Sequence, residues 1–105
     1  MQLISPKDTE SRISNGENIS ILDVRECYEH DICSIDAIHI PMAEISARLD
    51  ELPKERSIVV MCKTGKRAEA IANFLETEMN FKDTFILEGG IMAWIEQIDP
   101  NLEKY

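Results

Sequence analysis
An α/β domain built on a mostly parallel central sheet is the fold class this sequence predicts, and three observations predict it. Short apolar runs alternate with helical patterns along the chain, the order that sets strands side by side with helices packed across them. The clearest run, Ser57-Ile58-Val59-Val60-Met61, is β-branched and apolar throughout. Beyond it Ala68, Ile71, Ala72, Leu75 and Met79 recur at the spacing of one apolar helix face. The 105 residues contain no repeat, low-complexity stretch or linker, so residues 1–105 are expected to form one domain. At 44% apolar residues the chain can bury a core without disulfides or metal.

In chain order, Ser5-Pro6 supplies an N-cap and a first-turn proline, and a helix should run from there to about Ser14, ahead of Asn15-Gly16. Residues 19–24 form a short apolar run expected to be a buried strand, and Glu26 to about Asp31 a short helix or turn. Ile38-His39-Ile40 reads as a brief strand before Pro41, and Ala43 to Leu52 as a short helix stopped by Pro53. After the strand at 57–61 and the amphipathic helix come a strand at Thr84-Phe85-Ile86-Leu87, the pair Gly89-Gly90, and a last helix from about Ile91 to Ile98. Sites in such sheets form in crevices beyond the carboxyl ends of the strands, and Cys62 directly follows one of those ends.

Eleven basic residues against twenty acidic ones leave a net charge of −9. That speaks against nucleic acid or an anionic membrane as the main partner, since both require a cationic face. No apolar run approaches the roughly 18–20 residues that span a bilayer, and Met1 to Glu10 lack a secretory apolar core. A cytoplasmic location is the expectation. The three cysteines, Cys27, Cys33 and Cys62, are odd in number and unevenly spaced, unlike a disulfide framework or a zinc site. In a reducing compartment they should be free thiols.

Against the acidic background, Cys62-Lys63-Thr64-Gly65-Lys66-Arg67 carries three cations and no acid. It joins a buried strand to a helix. Backbone N–H groups at a helix start have no intrahelical partners and lie at the positive end of the dipole. A glycine loop wrapped onto them makes an anion cradle, and Gly65 lets the backbone turn tightly there. A thiol on the floor of that cradle, beside Lys63, Lys66 and Arg67, is expected to be an exposed thiolate. It could attack the outer sulfur of an anionic donor, keep it as a persulfide and pass it to a second nucleophile. Neither a metal nor an organic cofactor is required.

Four segments together resemble the signatures of a rhodanese domain, in that family's order: residues 21–26 (Ile-Leu-Asp-Val-Arg-Glu), 38–42 (Ile-His-Ile-Pro-Met), 62–68 (Cys-Lys-Thr-Gly-Lys-Arg-Ala) and 87–94 (Leu-Glu-Gly-Gly-Ile-Met-Ala-Trp). The resemblance implies a rhodanese-like fold, a parallel sheet with helices on both faces, and a sulfurtransferase activity with the persulfide on Cys62. It further implies binding of the sulfur anion by the N–H groups of Lys63, Thr64, Gly65, Lys66 and Arg67. The donor would be a small sulfur-containing anion such as thiosulfate. Residues 98–105 are also similar to the end of rhodanese domains fused to ubiquitin-activating-like adenylyltransferases, which deliver sulfur to ubiquitin-like carrier proteins, and so hint at a protein acceptor. Residues 32–37 depart from the family pattern by lacking two glycines and a proline, so that loop is expected to take a different course.

Asp23 and Arg25 close the second strand on the same edge, as supporting residues; Asp23 could pair with Arg67 to fix the loop or simply form a strand-end turn. Arg67 could bind an anion or a carboxylate with its fork. Cys33 is weighed as a resolving thiol for Cys62, and Cys27 less so. His30 and His39 read as a surface and a strand residue, Trp94 and the methionines as core. Two other function classes share these features. A cysteine phosphatase resembles His-Cys-x5-Arg, whereas here four residues separate Cys62 from Arg67 and Met61 replaces the histidine. A non-catalytic binding module would keep the fold with Cys62 as a buried strand-end residue.

Overall fold
Strand β4 (Ser57–Met61) lies at the centre of a five-stranded sheet of order β1-β5-β4-β2-β3, in which every pairing is parallel. The computed structural model describes residues 2–81 and 83–105. The remaining strands are β1 (Gln2–Ile4), β2 (Ile19–Asp23), β3 (Ile38–His39) and β5 (Thr84–Leu87). Parallel strands need crossovers, and the chain supplies α1 (Pro6–Ser14), α2 (Cys27–Ile32), α3 (Lys66–Glu78) and α4 (Gly90–Gln97), with 3-10 turns at Met42–Ala47 and Leu49–Glu51.

Side chains alternate across a strand, so each buried strand feeds two cores. Ile58 and Val60 of β4 and Leu22 of β2 join Ala68, Ile71, Ala72 and Leu75 of α3, with Ile45 and Leu52, on one face. Val59 and Met61, with Ile21, join Ile91, Trp94 and Ile95 of α4 on the other. Helix α1 lies against α4. Helices thus cover both faces, as the alternation of patterns predicts. Met61 and Trp94 are buried, while Met42, Met79 and Met92 are partly buried against the two cores; Met1 lies outside the described residues.

Strands β4 and β5 run as predicted, and the helix and remaining strand bounds differ by a residue or two. Ser5 caps α1 by accepting from the Asp8 N–H at 3.1 Å, with Pro6 in the first turn. Two segments differ in kind. The short helix expected over Ala43 to Leu52 is two 3-10 helices, Met42–Ala47 and Leu49–Glu51, because Arg48, at φ −127°, interrupts the run. Strand β1 was not expected: it is three residues long, lies at the sheet edge and leaves Leu3 62% exposed, so its composition carries no strand pattern. No helix among the described residues is long and apolar enough to cross a membrane.

The pairing of Asp23 with Met61 sets the ends of β2 and β4 side by side, and Val24 N–H donates to Met61 O at 3.0 Å just beyond. Helix α4 braces the next two residues from the opposite side. Its first amides donate to the site segment, Ile91 N–H to Cys62 O at 2.9 Å and Met92 N–H to Lys63 O at 3.2 Å. Gly90 makes that approach possible, with φ +62° and no side chain; a Cβ there would fall onto the Lys63 carbonyl and 2.5 Å from Cys62 O. Because both colliding atoms are backbone, Gly90→Ala should cost more than about 2 kcal/mol. Urea denaturation checks this; a loss below half that value would show that α4 is not pressed against the Cys62 segment.

Candidate active site
Cys62 continues the inward face of β4 that carries Ile58 and Val60, and three residues later Gly65, at φ +128°, turns the chain into α3. The turn brings amides onto the sulfur. Sγ accepts from Gly65 N–H at 3.0 Å and from Ala68 N–H at 3.4 Å. Both are donors at the start of α3 that no intrahelical carbonyl takes up. Of the loop amides, those of Gly65 and Ala68 are thus the ones directed at the sulfur.

The expected exposure of the thiol is not observed. Cys62 is 1% exposed and belongs to the core cluster around Val60 and Ala68. The loop closes its own amides over the sulfur, and the inward strand face leaves the thiol on the floor. Thr64 and Lys66 are exposed, Lys63 and Gly65 half-buried.

The charged residues pair differently from the expectation. Arg67 forms a two-pronged bond to Glu29 of α2, with Nη1–Oε1 at 2.6 Å and Nη2–Oε2 at 2.9 Å. Asp23 instead holds Arg25, whose Nε donates to Oδ1 at 2.9 Å and whose Nη2 donates to Oδ2 at 2.7 Å. The Asp23–Arg67 pair is thus replaced by two separate pairs. The reason is local: Arg25 stands two residues from Asp23 and folds back on it with its own N–H also bonded to Oδ1 at 3.0 Å.

Arg25 is fully buried and spends its remaining donors on Glu29 O (3.1 Å), Cys33 O (2.8 Å) and the Tyr105 hydroxyl (3.1 Å). It ties α2 and the following loop to the strand end and has no free edge for a donor anion. Burial opposes its charge, but the bonds to Asp23 and Tyr105 outweigh that and raise its pKa.

Two residues of this network escaped the sequence reading, Glu29 and Tyr105. Tyr105 Oη donates to Glu29 Oε2 at 2.7 Å, and Lys63 Nζ sits 4.6 Å from the centre of the Tyr105 ring. The Arg67 bond holds the Glu29 carboxyl down at about 2 against its burial, with help from the Glu26 N–H and the Tyr105 hydroxyl. Burial pushes the Tyr105 phenol up to about 12. The signals that could have found them are the Glu26-x-x-Glu29 spacing of a helix start, where Glu26 N–H indeed donates to Glu29 Oε1 at 3.0 Å, and the tail resemblance ending at Tyr105.

Cys33 is buried in the cluster on the α4 side, with the sheet between it and Cys62, so it is not placed to resolve a Cys62 persulfide. Cys27 is exposed, and all three thiols are free. His30 and His39, both half-buried, stack on each other at 4.3 Å, and His39 Nε2 lies 2.9 Å from Arg25 O.

A five-stranded parallel α/β sheet with a cysteine-floored amide loop at the end of its central strand defines the fold class. Within it the chain belongs to the rhodanese-like domain family, whose model matches residues 5–97. A probable adenylyltransferase/sulfurtransferase, MoeZ of Mycobacterium tuberculosis, is 37% identical over 106 residues, covering 97% of this chain and 26% of the relative. This chain therefore spans about a quarter of that protein's length. A putative sulfurtransferase of Bacillus subtilis, YtwF, is 34% identical, covering 92% of this chain and 93% of the relative. Among solved structures, a rhodanese-related protein of Thermoplasma volcanium is 30% identical with a TM-score of 0.82, covering 93% of this chain and 94% of its own.

The Glu29–Arg67 pair yields a pH prediction. The Glu29 carboxyl is held below its usual 4.5, so the pair's contribution is fully present above pH 4.5 and is lost as pH falls to about 2. A shift of that size corresponds to roughly 3 kcal/mol, reduced by solvent screening at the one-third-exposed Arg67. Glu29→Gln should thus lower stability by roughly 1–2 kcal/mol at neutral pH and flatten its decline between those pH values. Urea melts of both proteins across that range check it, and parallel curves would contradict the pairing.

Proposed function
We propose that this chain is a sulfurtransferase that carries a sulfane sulfur on Cys62. The Cys62 thiolate attacks the outer sulfur of an anionic donor such as thiosulfate, a new S–S bond forms, and sulfite leaves with the electron pair of the bond that breaks. The terminal persulfide sulfur bears the charge next, and the loop amides of residues 63–67 are the groups available to hold it. An acceptor nucleophile then attacks that outer sulfur and releases the Cys62 thiolate, two displacements in succession.

The observation that carries this reading is the pair of amides, Gly65 N–H and Ala68 N–H, aimed at Sγ. A small one-atom cradle suits sulfur. It does not suit a phosphoryl group, for which Arg67 would have to leave Glu29. Of the loop cations, Lys66 is the exposed one and the natural contact for the rest of the donor anion. A protein acceptor is proposed on residues 98–105, which resemble the end of domains that serve sulfur-carrier proteins.

One observation favours a second reading. Cys62 is 1% exposed, as a buried strand-end cysteine in a non-catalytic rhodanese-fold module would be. Transfer at Cys62 requires the loop at 63–67 to admit a donor. Incubation with thiosulfate followed by intact mass and peptide mapping separates the two. The transfer reading expects a gain of one sulfur atom on Cys62, absent in Cys62→Ser. A wild-type protein that gains none, with Cys62 alkylated only after denaturation, would establish the binding module instead.

A further inference from the structure
The segment that follows α4 turns back over the strand ends. Ile98 and Asp99 N–H groups donate to Trp94 O at 2.8 and 3.2 Å, Leu102 packs on the α4-side core, and Lys104 lies 3.6 Å from Glu96. The segment ends with Tyr105 among three charged residues of the site, Arg25, Glu29 and Lys63. Its hydroxyl donates to Glu29 and accepts from Arg25, its ring lies 4.6 Å below Lys63 Nζ, and Arg25 lies 5.8 Å from the ring on its other contact.

We propose that Tyr105 is a positioning residue of the Cys62 loop, holding Lys63 with its ring and Arg67 through Glu29 with its hydroxyl. The inference rests on Cys62 being the working residue of the site. Lys63 and Arg67 bracket the loop: of the sulfur's two donors, Gly65 N–H lies between them and Ala68 N–H directly follows Arg67. A short loop fixed at both ends keeps those N–H groups aimed without reorganisation when charge arrives. The hydroxyl also closes the polar network, since it is a donor for a Glu29 oxygen already shared with Arg67 and an acceptor for a buried guanidinium. With Lys63 on the ring and Arg67 on Glu29, the donor anion meets amides and Lys66.

Amide hydrogen exchange tests this without needing turnover. Wild type, Tyr105→Phe and Tyr105→Leu are compared at Gly65 and Ala68, with Val59 and Val60 of the central strand as the control for global stability. Tyr105→Leu should speed exchange at Gly65 and Ala68 about tenfold with Val59 and Val60 unchanged. Tyr105→Phe, which keeps the ring and loses the hydroxyl, should recover part of that protection, and it serves alone if the leucine variant does not fold. Thiosulfate kinetics should show the same order, with KM rising more than kcat falls. Acceleration confined to residues 98–105 with Gly65 and Ala68 untouched would reduce Tyr105 to an anchor of its own segment and overturn the proposal. If the loop amides respond as expected but wild type takes no sulfur from thiosulfate, the positioning role stands and the transfer reading fails.

Discussion

Two backbone amides directed at one sulfur atom are the constraint around which this domain is arranged. Amide donors at a helix start are available to a side chain only if strand, turn and helix are held in one geometry. Here β4 is fixed by pairing on both edges, α3 is fixed by its apolar face, and Gly65 takes the one backbone conformation that joins them. The brace from α4 completes the enclosure, because its leading amides occupy the carbonyls of Cys62 and Lys63 and leave the N–H groups facing the sulfur. Donors fixed in this way before charge develops need no rearrangement to stabilise it.

The charged residues have a different task from the one their sequence positions suggest. Three cations beside a cysteine look like an electrostatic attractor. In the structure one is committed to a carboxylate, one rests on an aromatic ring, and one remains exposed. Asp23, Arg25, Glu29, Arg67 and Tyr105 instead form a continuous network linking α2, the strand ends and the last residues of the sequence. A buried guanidinium such as Arg25 is tolerable only when its donors are met, and removing one partner leaves an uncompensated charge. Most of the positive charge near Cys62 is therefore committed to partners within the structure, and two amides face the sulfur.

The sheet and its helices were legible because they follow from periodicities that burial enforces: β4, β5 and α3 read directly from apolar spacing. The placing of Cys62 at the end of β4 and of Gly65 at the start of α3 was legible because the glycine stands between a β-branched run and an amphipathic face. What escaped has a physical cause in each instance. Strand β1 is too short and exposed to carry a pattern, and the apolar spacing at 42–51 does not show the break at Arg48. The partners of Asp23 and Arg67 were unreadable because ion pairing depends on side-chain reach across elements: Glu29 lies 38 residues from Arg67 and Tyr105 lies 80 from Arg25. Burial of Cys62 follows from strand parity, since Ile58, Val60 and Cys62 share one face of a doubly covered sheet, and that much could have been counted from the sequence.

The two amides and the core meet at the same atom, so the Cys62 sulfur is both well held and hard to reach. A crystal structure of the protein after exposure to thiosulfate tests the claim most directly. A second sulfur bonded to Cys62 Sγ, lying within hydrogen-bond distance of the loop N–H groups between residues 63 and 67, is the predicted result. An unmodified Sγ beneath an unchanged loop, or an added sulfur turned away from those amides, would contradict it.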